Sequence, residues 1–213
     1  MRGMARLLVA ISLCFGLGFA LLAWPSPTAS AIAVKGAAVG LLALAAASRA
    51  GSADRWLLAA FLALGAAGDV LIELSLAAGA AAFAVAHIVS VTLYRRNRRR
   101  PRPRDWIFAA SLMAVSAALP ALLLSGRPEA FAFTGYALLL GAMAASAWLS
   151  VFPRRLVGAG ALLFLVSDML IAARIGLTMK SELVGPAIWL LYYVGQLLIY
   201  LGVSRSLAAR ASA

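Results

Sequence analysis

Apolar stretches of about 20 residues recur along the whole chain, separated by short polar breaks. A membrane-crossing helix needs about 20 mostly apolar residues, with a range of roughly 17–25. The pattern predicts eight such helices: Leu7–Trp24, Ala31–Ala47, Trp56–Leu76, Gly79–Tyr94, Trp106–Leu124, Ala130–Val151, Leu156–Ile175 and Leu183–Ser204. The second and fourth are short and leave room to begin earlier. Turn-forming residues mark the breaks: Pro25-Ser26-Pro27, Gly51-Ser52, Ser125-Gly126-Arg127-Pro128 and Pro153. Most connections are short, so successive helices are expected to be antiparallel neighbours. The longest connection, Arg95 to Asp105, holds seven arginines and two prolines. Arg2 and Arg6 before the first apolar run resemble a signal peptide, but the run is as long as a spanning helix and others follow it. It reads as a retained first helix.

Composition agrees with this pattern. The 213 residues are 64% hydrophobic, with a mean hydropathy of +0.98. Only 12% are charged, where a soluble domain carries about 25%. The expected fold class is therefore all-α, a single polytopic membrane domain over residues 1–213. The net charge of +12 does not point to nucleic acid, because the basic residues flank the apolar stretches. It points to topology and to anionic lipid headgroups, above all at Arg95–Arg104. With eight spans, one face receives fifteen basic residues and the other only Lys35, Arg127, Arg174 and Lys180. The positive-inside rule then places both termini in the cytoplasm. The expected location is the cell membrane, the inner membrane of a bacterium. Trp24, Trp56, Trp106 and Trp189 stand near predicted span ends, as in interfacial aromatic belts. The single Cys14 permits no internal disulfide.

Against this apolar background, Asp69 and Asp168 stand out. Both occupy the frame small residue–Asp–x–Leu–Ile, in Gly68–Ile72 and Ser167–Ile171. A carboxylate at the centre of a spanning helix costs roughly 2.5–3.5 kcal/mol on insertion scales, and such residues usually mark functional sites. The predicted spans put Asp69, Asp168, His87, Tyr136, Tyr192 and Tyr193 in one layer, roughly 9–15 Å from the non-cytoplasmic helix ends. Lys35 falls nearer that surface. Asp69 and Glu73 are spaced i, i+4 on one expected helical face, as are Tyr192 and Gln196. Each residue also has a plainer role: Lys35 snorkelling to headgroups, Glu73 solvated at a span end, His87 and the tyrosines packing in the bundle. Small residues at Gly36–Gly40 and Gly158–Gly160 suit close helix packing.

The chemistry open to this layer is narrow. One His and one Cys cannot supply a typical zinc site, and no metal or organic cofactor is expected. No Gly-x-Ser-x-Gly elbow and no phosphate-binding glycine loop occurs. Two carboxyl groups in one low-dielectric site tend to divide into an acid and an ionised partner. That arrangement suits acid-catalysed cleavage through a cationic transition state, as in glycoside hydrolysis. It equally suits a proton-coupled transporter of lipids or small solutes, which the matching Asp frames would favour if they marked an internal repeat.

At these residues the chain resembles the YhhN-type, lysoplasmalogenase-like family of integral membrane proteins. The pieces that carry the resemblance are Gly68-Asp69-Val70-Leu71, Gly79-x3-Phe83-x3-His87, Tyr136-x6-Met143, Phe164-x2-Ser167-Asp168-x2-Ile171-Ala172 and Tyr192-Tyr193-x2-Gln196, with Lys35 ahead of them. They run in the family's order from Lys35 to Gln196. Gly36 stands where the family often has Pro, Ser90 where it often has Tyr, and Glu73 where an apolar residue is more usual. The resemblance implies an eight-helix ether hydrolase acting on the vinyl ether bond of lysoplasmalogen. Its products would be a fatty aldehyde and glycerophosphoethanolamine or glycerophosphocholine. Asp69 and Asp168 would then be catalytic. His87, Tyr136, Tyr192, Tyr193 and Gln196 would support them, and Lys35 and Glu73 would lie at the rim. A related lipid hydrolase of other specificity is the nearest alternative.

Overall fold

The computed structural model describes residues 2–21, 28–49 and 51–212. These residues form eight α-helices: α1 (Arg2–Leu21), α2 (Ala29–Ala47), α3 (Ala53–Leu71), α4 (Leu76–Arg96), α5 (Pro103–Leu123), α6 (Ala130–Leu149), α7 (Ala159–Gly176) and α8 (Val184–Arg210). A single π-helical turn, Arg154–Gly158, leads into α7. Among the described residues there is no sheet, only an isolated antiparallel bridge between Arg98 and Ser150. Seven of the helices are long and apolar enough to cross a membrane. The exception is α3, which has Asp54, Arg55 and Asp69 within its 19 residues. The loop Pro25-Ser26-Pro27 and Trp24 lie outside the described residues.

Local signals explain several helix ends. Thr28 Oγ1 accepts from Ala31 N at 3.2 Å and Ser52 Oγ from Arg55 N at 3.4 Å, so α2 and α3 start at side-chain caps. Gly126, with φ +77°, turns the chain between α5 and α6. One boundary departs from expectation. Apolar residues run on through Ile72, Leu74 and Leu76, which predicts a third helix reaching Leu76. The helix instead ends at Leu71, and Leu76 opens α4. The break is set by packing. Gly79, in the first turn of α4, lies so close to Ile72 that an added Cβ would stand 2.6 Å from its Cα. Glu73 therefore sits in the turn and does not continue the helical face of Asp69.

The chain divides into two compact units, residues 1–93 with 200–213, and residues 94–199. In the first unit α2 packs on both α1 and α3. Ser12 Oγ of α1 donates to Ala38 O of α2. Gly36 meets Val70, and Gly40 meets Ala66, so α2 and α3 run antiparallel. Leu42 of α2 and Leu58, Phe61 and Leu62 of α3 are buried. In the second unit α5 packs on α6, and α7 touches both. An added Cβ on Gly160 of α7 would stand 2.6 Å from Gly195 O of α8, and the reverse substitution is equally tight. Ser167 Oγ of α7 donates to Ile188 O of α8 at 2.9 Å. These two contacts, seven residues apart on each helix, define an antiparallel register in which small residues let backbones meet.

Candidate functional site

Asp168 lies on α7, one residue beyond the Ser167–Ile188 contact, and is half-buried. Tyr136 of α6 donates its hydroxyl to Asp168 Oδ2 at 2.6 Å. Tyr136, expected in the same layer as Asp168, touches it directly. On α8, Gln196 Nε2 donates to the Tyr192 hydroxyl at 3.3 Å, one turn away. Tyr192 stands edge-on to Phe164 of α7, with ring centroids 4.9 Å apart. Trp189 stacks on Tyr193 at 5.8 Å, and all of these side chains are buried. Trp189 is therefore an interior residue, in contrast to Trp56 and Trp106, which remain exposed. Its indole fills the space over Tyr192 and Tyr193, and position near a helix end does not by itself send a ring to the interface.

The α7–α8 register also refines the expected layer. Asp168 stands level with Ala187, the neighbour of Ile188. At 1.5 Å per residue, Tyr192 lies about 7 Å and Gln196 about 13 Å further along α8. These polar groups form a file along the α7–α8 seam of the second unit, with the Tyr136–Asp168 pair at one end.

The first unit holds the other candidates. Asp69 is 2% exposed and His87 is fully buried. Gly68, next to Asp69, lies against the Phe83 ring, where an added Cβ would come within 2.8 Å of a ring carbon. His87 follows Phe83 by one turn on α4. The Gly68–Phe83 approach thus brings the Asp69 turn of α3 onto the His87 stretch of α4. Lys35 and Glu73 form an ion pair, Nζ to Oε1 at 2.5 Å, with side chains 15% and 27% exposed. Two residues read separately in the sequence are one structural feature, and Lys35 is committed to a carboxylate. Asp69 falls in the first unit and Asp168 in the second, so the two are not a contact pair within either.

The sequence reasoning missed a polar cluster in the second unit. Asp105 is almost fully buried. Its carboxylate accepts from Arg154 at 2.5 Å, from Arg99 at 2.9 Å and from the backbone N–H of Arg102 at 2.9 Å. Arg154 also lies over the Trp148 ring, 4.4 Å from its centroid, and donates to Trp148 O. Arg98 covers Trp106 at 4.6 Å. Part of the arginine run is thus pinned to the fold, while Arg95, Arg96, Arg100, Arg102 and Arg104 stay exposed. A lone acidic residue at the end of an arginine-rich loop was the available signal. Among the described residues, no group of three or more His, Cys, Asp or Glu side chains is placed to hold a metal ion.

Comparison with known proteins agrees with the motifs. The model of the YhhN family matches residues 30–203. The chain belongs to the YhhN family. The match spans Lys35, both aspartates, His87, Tyr136 and the Tyr192–Gln196 turn, and membership supports a lysoplasmalogenase-like membrane protein. No curated protein and no solved structure matches the chain.

Proposed function

We propose that this YhhN-family protein is a multi-pass membrane hydrolase that cleaves the vinyl ether bond of lysoplasmalogen. The observation that carries the reading is the Tyr136–Asp168 hydrogen bond, a phenol holding a carboxyl group between two apolar helices of a chain in this family. The chemistry requires one proton donor and one anionic stabiliser. A carboxylic acid protonates the vinyl carbon remote from the ether oxygen, and the double-bond electrons form the new C–H bond. The resulting oxocarbenium ion is stabilised by a carboxylate, which also orients the water that attacks it. Water loses its proton to the spent acid. The hemiacetal then collapses to fatty aldehyde and the free glycerol hydroxyl, so one water is consumed and the acid is restored. The family motifs carry two candidate carboxyl groups for this chemistry, Asp168 in the second unit and Asp69 in the first. Tyr136 holds Asp168, while His87, Tyr192, Tyr193 and Gln196 order water and exclude it elsewhere. No cofactor enters the scheme.

All eight helices are proposed to cross the cell membrane with both termini cytoplasmic. In this arrangement α3 crosses with its charges at its start and at the buried Asp69. The exposed arginines of residues 95–104 then face anionic headgroups on the cytoplasmic side. Purified protein supplied with lysoplasmalogen and followed by aldehyde release tests the function. Failure of the wild type to release aldehyde, together with proton-driven uptake into vesicles, would replace hydrolysis with transport.

A further inference from the structure

We propose that Lys35 and Glu73 form a receptor for a phosphoethanolamine headgroup, with Lys35 binding the phosphate and Glu73 the primary ammonium. The inference rests on the lysophospholipid reading above and specifies its headgroup. Three elements meet at this rim of the first unit. Lys35 projects from α2, Glu73 from the turn after α3, and Phe19 of α1 lies 6.0 Å from the Lys35 ammonium. The position is held by close packing, since Gly36 meets Val70 so tightly that an added Cβ would come within 2.6 Å of its side chain. The two charged side chains are neither dry nor fully solvated.

Leaving one member of a partly buried ion pair without a partner is costly, so a ligand can open this pair only if both charges find new partners. A zwitterionic phosphoethanolamine does so: its phosphate replaces the Glu73 carboxylate at Lys35, and its ammonium replaces Lys35 at Glu73. Charge stays balanced throughout. A headgroup with phosphate alone frees Glu73 beside an anion, and like charges at that distance repel. A quaternary ammonium keeps the charge but has no N–H to donate to the carboxylate, so it gains only part of the interaction.

The test is binding of ester lysolipids, which contain no vinyl ether, to the purified full-length protein in detergent, measured by native mass spectrometry. Lysophosphatidylethanolamine should bind about tenfold more tightly than lysophosphatidic acid, the effect of one charge-assisted hydrogen bond, with lysophosphatidylcholine between them. Glu73→Gln should abolish that preference, and Lys35→Gln should weaken all three. Equal or tighter binding of lysophosphatidic acid by the wild type overturns the proposal, whether or not the variants fold. So does a preference that survives Glu73→Gln. Headgroup preference without aldehyde release from a vinyl ether would sustain the receptor and remove the hydrolytic reading. Aldehyde release without headgroup preference would do the reverse.

Discussion

Removing the Tyr136 hydroxyl tests whether Asp168 is a working carboxyl group. The bond is 2.6 Å long, and a hydrogen bond contributes roughly 0.5–1.5 kcal/mol between neutral groups and roughly 1.5–3 kcal/mol to a charged one. Both side chains are only half-buried, so the expected contribution is about 1.5 kcal/mol, where the two ranges meet. If Tyr136 orients Asp168 for proton transfer, Tyr136→Phe should lower kcat/KM for aldehyde release by about tenfold. Asp168→Asn removes the carboxyl group itself and should cost about 100-fold or more, the usual contribution of a general acid or base. The decisive quantity is the double variant. A residue that acts only through Asp168 has nothing left to orient once Asp168 is gone, so Tyr136→Phe/Asp168→Asn should be no slower than Asp168→Asn alone. Losses that multiply would show that Tyr136 acts independently. Full activity in Asp168→Asn would refute the carboxyl mechanism itself.

Gly160→Ala should destabilise the protein by about 1–3 kcal/mol, since its Cβ would stand 2.6 Å from Gly195 O and neither backbone can yield freely; thermal unfolding in detergent reads this, and an unchanged midpoint would disprove the close α7–α8 crossing. Gly68→Ala should be milder and should be relieved in Gly68→Ala/Phe83→Ala, because the ring that it meets is then absent. Asp105→Ala leaves Arg99 and Arg154 without their shared carboxylate, and trypsin should then cut the 95–104 segment many-fold faster than in the wild type; equal cleavage would mean that the carboxylate does not pin the loop. In a Cys14→Ser background, Ser52→Cys and Ser75→Cys flank α3. An impermeant maleimide should label them from opposite sides of the membrane, and labelling from one side would remove α3 from the set of spans.

The repeat of apolar stretches was enough to predict eight helices and an all-α membrane chain, because a membrane demands that every backbone group be satisfied within its own helix. Side-chain order alone also carried the family, whose pieces are short and lie within single helices. Positions that differ by one turn, such as Tyr192 and Gln196, were legible for the same reason: helical periodicity is local. The break between α3 and α4 was not legible. Leu71, Ile72, Leu74 and Leu76 are all apolar, and the chain turns there because Gly79 lets α4 pack against Ile72. Pairings between helices lay equally out of reach. Lys35 with Glu73, Tyr136 with Asp168, and Asp105 with Arg99 and Arg154 join residues 38, 32, 6 and 49 positions apart, and nothing in the order of residues specifies which helix faces turn toward each other. The sequence by itself determined the helices, their apolar character and the polar residues worth attention. Tertiary structure alone decided the partners of those residues, because side chains on different helices meet only where small residues such as Gly36, Gly68, Gly160 and Gly195 let the helices approach.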